Sequence, residues 1–66
     1  MAYRVFRARW WADEGCTIPI EGPRETETVQ YYQSEEHARE RCRRYNYRKG
    51  ERVQRPYGLA YEYEEA

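Results

Sequence analysis

Residues 34–49 read SEEHARERCRRYNYRK. Ser34 can accept from the free N–H groups of a first turn and suits a helix N-cap. Glu35 and Glu36 follow it, and Arg43, Arg44, Arg48 and Lys49 gather toward the other end, the charge order a helix dipole prefers. Gly50 then stands as a stop signal. The capping box is incomplete, because its third position is His37 and not Glu or Gln. Ala38, Cys42 and Tyr45 recur at helical spacing and form a narrow apolar stripe. Two of the three are small, so a helix over 34–49 can lie close against a sheet. Glu35–Arg39 and Glu40–Arg44 are favourable pairs one turn apart, and Glu36–Glu40 is repulsive.

The flanking segments alternate as strands do. Residues 2–11, AYRVFRARWW, carry β-favouring side chains without a breaker. Tyr3, Val5, Arg7, Arg9 and Trp11 fall on one face, and Arg4, Phe6, Ala8 and Trp10 on the other. Neither face is cleanly polar, so both should be covered. Residues 12–23, ADEGCTIPIEGP, form a long connection rich in turn residues. Ile18 and Ile20 flank Pro19 and should fold back to tuck at least one isoleucine. Residues 24–33, RETETVQYYQ, make the second strand, with Glu25, Glu27, Val29 and Tyr31 opposed to Thr26, Thr28, Gln30 and Tyr32. Residues 50–56 are a linker. Residues 57–64, YGLAYEYE, are the last strand, with Tyr57, Leu59, Tyr61 and Tyr63 on one face. The expectation is an α+β fold, one domain over 1–66, ordered β-β-α-β, with one helix on one face of a three-stranded antiparallel sheet.

Composition bounds the rest. The chain has 66 residues, 36% of them charged, with formal net charge zero. Eight Tyr, two Trp and one Phe supply the burial that scarce aliphatics do not. A domain of this size buries only about 60% of its unfolded surface, so self-association into a homodimer or larger is expected, through the sheet face or edge opposite the helix. No apolar run approaches the roughly 20 residues of a membrane span, and no signal-peptide pattern opens the chain. Cys16 and Cys42 permit one bridge or two free thiols; a reducing cytoplasm and free thiols are the preferred reading. By segment the charge runs +3 over 1–11, −4 over 12–33, +3 over 34–49 and −2 over 50–66, so a local basic face can coexist with zero net charge.

Eleven arginines stand against one lysine. Guanidinium groups make bidentate contacts with phosphate and stack on aromatic rings. The helix arginines read best as a solvated, ion-paired face. Arg4, Arg7 and Arg9, interleaved with aromatics, read as phosphate clamps beside Trp10, Trp11 and Tyr61 as stacking partners. Adjacent tryptophans in a strand point to opposite faces, so one is free to be core while loop, ligand or subunit covers the other. His37 and Cys42, five apart, diverge around the helix, and with Cys16 they make a poor zinc signature. The scattered carboxylates form no paired-acid site. No catalytic residue, metal site or cofactor is expected, and Cys42 reads as structural.

The YRVFRARWW strand, GCTIP loop, SEEHARERC helix and Tyr-rich last strand resemble small orphan proteins encoded by bacteriophages. That resemblance, of style and size, implies action by binding in the host cell cytoplasm. Some members of the class are anti-defence factors that sequester nucleotide immune signals or cap a host protein. The function expected is therefore a non-enzymatic binder of a nucleotide-like, phosphate-bearing small molecule. The alternatives are a protein-interaction inhibitor of a host protein and a single-stranded nucleic-acid binder.

Overall fold

The computed structural model describes all 66 residues. Three strands form the main sheet: β1 (Tyr3–Ala8), β2 (Thr26–Tyr32) and β5 (Ala60–Glu65), in the order β2-β1-β5 and antiparallel throughout. The helix α1 (Glu35–Asn46) lies on one face. This is the expected α+β architecture with one addition. The helix stops at Asn46, and β3 (Tyr47–Arg48) and β4 (Glu51–Arg52) pair as a small hairpin. Arg48 and Lys49 therefore leave the helix, and Gly50 serves a two-residue turn. Lys49 and Gly50 both take positive φ (53° and 79°), the conformation a tight hairpin turn requires.

The helix is capped as its sequence directs. Ser34 accepts from the His37 N–H at 3.1 Å, and Arg39 pairs with Glu35 at 3.2 Å. Ala38 and Cys42 are buried and join Val5 and Tyr32 in the core, with Tyr3, Tyr61 and Tyr63 packed around them. Tyr45 stacks on Tyr61 at 4.4 Å. Burial pushes the Cys42 thiol pKa up, with Glu62 adding to it, so this sulfur packs as a small apolar group. Both cysteines are free.

The strands end earlier or start later than alternation suggested. β1 stops at Ala8, two residues short of the tryptophans. β5 starts at Ala60, because Tyr57 and Gly58 turn left-handed (φ 63° and 60°) in a single 3-10 turn. The face assignment of the second strand is corrected by a bulge. Val5 pairs with Gln30 but Phe6 with Thr28, which leaves Val29 without a partner. Thr26 and Thr28 consequently share a face with Phe6 and Ala8, while Gln30 and Tyr32 share the helix face with Val5 and Tyr3. Strict alternation would have kept all four together.

The face opposite the helix is not an open aromatic surface. Phe6 is buried there without help from the helix. The Arg4 guanidinium lies 4.6 Å from the Phe6 ring centre and donates to Thr28, Thr26 and Glu64. Arg24 continues this cover, bonding Glu62 at 2.9 Å and lying 4.1 Å from the Trp10 ring centre. The molecule is only 12 Å thick along its shortest axis, as one helix on one sheet with a side-chain roof demands. No helix is long and apolar enough to cross a membrane.

Candidate functional site

The helix covers the Tyr3 and Val5 end of the sheet and leaves the Arg7 and Arg9 end uncovered. The chain returning from β4 fills part of that space. Arg55 donates to the Tyr45 carbonyl at 2.7 Å and lies 5.1 Å from the Tyr61 ring centre. Between this segment and the ends of β1 and β2 runs a groove of about 580 Å³, lined among others by Arg7, Arg9, Glu27, Arg55, Tyr57 and Leu59. That is within the size range of small-molecule sites.

Each cation of the groove is held differently. Arg7 pairs with Glu27 at 2.7 Å, and this contact first, then the Tyr61 hydroxyl, raises its pKa. Arg9 is exposed and lies 4.5 Å from the Tyr57 ring centre. Arg55 has a buried nitrogen, Nη1, with no hydrogen-bond partner. Tyr57 is the pivot. Its left-handed backbone aims one carbonyl at two donors, the Trp10 and Trp11 N–H groups, each at 3.0 Å. The same residue turns its ring under Arg9. A non-glycine residue in this conformation costs free energy, which the two hydrogen bonds help to offset.

Comparison with protein-family models, curated proteins and solved structures finds no match.

Of the six residues expected to bind, the structure brings Arg7 and Arg9 into one groove. Arg4 lies on the opposite face as the roof of Phe6. Trp10 is also on that side, 48% exposed beneath Arg24. Trp11 is half-buried, bridged to Pro19, and shares with Arg9 and Ile20 a smaller adjoining hollow. Neither tryptophan is core, because β1 ends before them: the 12–23 loop reaches Trp11 through Pro19, and Arg24 lies over Trp10. That loop does fold back: Ala12 donates to the Ile18 carbonyl at 2.8 Å, with Ile20 half-buried and Ile18 exposed. Tyr61 is occupied, stacked on Tyr45 and 5.1 Å from the Arg55 guanidinium.

Sequence reasoning missed Arg55, Tyr57 and Asn46. Asn46 ends the helix and bonds the backbone of Tyr61 twice, donating to its carbonyl at 2.8 Å and accepting from its N–H at 2.9 Å. Pro56-Tyr57-Gly58 was the available signal, since a Pro-x-Gly run marks a turn and not a strand. No three His, Cys, Asp or Glu side chains cluster as metal ligands.

Proposed function

We propose that the chain is a non-enzymatic binding protein whose groove takes a nucleotide-like, phosphate-bearing small molecule. The observation that carries this reading is that Arg7, Arg9 and Arg55 line one concavity beside Tyr57, three cations against the two carboxylates of Glu25 and Glu27. Guanidinium forks suit phosphate oxygens, and the exposed Arg9 makes no side-chain ion pair that a ligand would have to displace. Arg7 would exchange its Glu27 partner for the ligand. A base would rest on the aromatic and apolar wall made by Tyr57 and Leu59. In the phage setting that the sequence resembles, such a ligand would be a nucleotide immune signal of the host.

The test is calorimetric titration with nucleoside monophosphates, diphosphates and cyclic nucleotides, together with ultraviolet absorbance of whatever the purified protein releases on denaturation. Arg9→Ala should lower affinity about tenfold to a hundredfold while leaving the fold intact, since a charge-assisted contact is worth about 1.5–3 kcal/mol. Absence of any nucleotide binding, or binding indifferent to both Arg9 and Arg55, overturns the reading.

The same reading includes self-association, now through the β2 edge. The roofed face opposite the helix offers polar groups, whereas β2 is exposed from Thr26 to Tyr31 and presents Val29 and Tyr31. An unpaired edge is a template for a second strand. Sedimentation at micromolar concentration giving only the 8.2 kDa species would refute it.

A further inference from the structure

A second basic surface lies outside the groove, where α1 meets the β3–β4 hairpin. The last helical turn presents Arg43 and Arg44, and Tyr47 follows as the first hairpin residue. The tight turn at Lys49-Gly50 folds β4 back so that Arg52 faces Tyr47 across the ladder. The Arg52 guanidinium lies 6.0 Å from the Tyr47 ring centre. A hollow of about 550 Å³ results, lined by Glu40, Arg43, Arg44, Tyr47, Lys49 and Gly50.

Three cations, Arg43, Arg44 and Lys49, thus line the hollow with one exposed tyrosine and one carboxylate. Arg52 adjoins it across the Tyr47 ring, with Glu51 beside it opposite Arg48. Glu40 serves both Arg43 at 2.9 Å and Arg44 at 3.7 Å. Glu40 and Glu51 cannot neutralise Arg43, Arg44, Arg48, Lys49 and Arg52, so the surface stays basic although the whole chain is neutral. The helix end does not consume these cations as caps. The Arg43 carbonyl accepts from the Tyr47 N–H, that of Asn46 from the Val53 N–H, and that of Tyr45 from Arg55. Arg44, Lys49 and Arg52 are exposed, and Tyr47 is 44% exposed.

We propose that this surface binds single-stranded nucleic acid without sequence preference, its cations on successive phosphates and Tyr47 stacked on a base. Cations around an exposed aromatic ring are the elements such binding uses. An unpaired base is needed to stack, which favours a single strand over a duplex. An anionic membrane would be met by apolar side chains beside the cations, and the hairpin offers none besides Tyr47.

The experiment follows fluorescence anisotropy of a labelled oligodeoxythymidylate of about 15 nucleotides, with the full chain, as salt rises from about 50 to 200 mM. Contacts to three or four phosphates should give a log–log slope of about −2 to −3. Neutralising two cations in the double variant Arg44→Gln, Lys49→Asn should make that slope shallower by about 1.4 and lower affinity at least about tenfold. Asn keeps the left-handed turn conformation that position 49 needs. Tyr47→Ala should weaken binding about fivefold or more, and Tyr47→Phe should not. The Arg44→Gln, Lys49→Asn variant should leave mononucleotide binding in the groove unchanged, which separates this surface from the groove. All these side chains are exposed, and circular dichroism checks that the variants fold. The proposal is overturned by absent binding at low salt, by binding indifferent to Arg44 and Lys49, by binding indifferent to the Tyr47 ring, or by binding to phosphatidylserine vesicles in place of the oligonucleotide.

Discussion

The Arg4 guanidinium lies 4.6 Å from the centre of the Phe6 ring and, through Thr26, Thr28 and Glu64, is tied to both neighbouring strands. A charged side chain here performs the task a second helix performs in a thicker domain. It buries an aromatic ring while its own head stays hydrogen-bonded. Phe6→Ala should cost about 3–5 kcal/mol, enough to unfold so small a domain. Arg4→Ala should cost about 1–3 kcal/mol and leave groove binding unchanged in the folded fraction. Urea denaturation measures both. Full stability of Arg4→Ala would show that the roof is decoration.

Gly58 stands against Trp11. A Cβ at position 58 would meet Trp11 Cδ1 at 2.5 Å, and φ there is +60°. Gly58→Ala therefore faces backbone strain and a ring clash together. We expect a loss of about 2 kcal/mol or more, with a changed tryptophan emission as Trp11 is displaced. Wild-type melting of that variant would contradict the geometry.

Asn46 joins the helix end to β5 by two hydrogen bonds to the backbone of Tyr61. Asn46→Ala strands a donor and an acceptor in a half-buried position. Its expected cost is about 1–3 kcal/mol, and Asn46→Asp should lose part of that, since a carboxylate still accepts but no longer donates. Amide exchange at Tyr61 reports the opening directly: it should accelerate in both variants, and more in Ala.

Asp13 organises the long loop. Its carboxylate accepts from the Thr17 hydroxyl and from the Thr17 and Ile18 N–H groups. These contacts, the Thr17 hydroxyl first, lower its pKa from 3.8 to about 2. Folding thus disfavours the protonated form. The stabilising contribution is full above about pH 4 and fades as pH falls through about 2. Loop resonances of Thr17 and Ile18 should move with an acid midpoint near 2, and Asp13→Asn should abolish that transition. A midpoint at the ordinary carboxylate value would remove Asp13 from this role.

The local chemistry of the chain determined the helix and the class of the fold. Ser34 capping, the acid-to-base order of the helix charges, and small residues at Ala38 and Cys42 act over a few positions and are visible wherever they occur. So are the two faces of β1, because alternation in a short strand depends only on its own residues. Tertiary structure decided what depends on register across strands. The bulge at Val29 turns Tyr32 into the core and keeps Thr26 and Thr28 for Arg4, an outcome visible only once β2 is paired to β1. Left-handed backbone at Tyr57 and Gly58 is held by Trp10 and Trp11 from the far end of the sequence. The groove likewise gathers Arg7 and Arg9 with Arg55, which long-range packing alone could bring together, and it sets Arg4 apart on the opposite face.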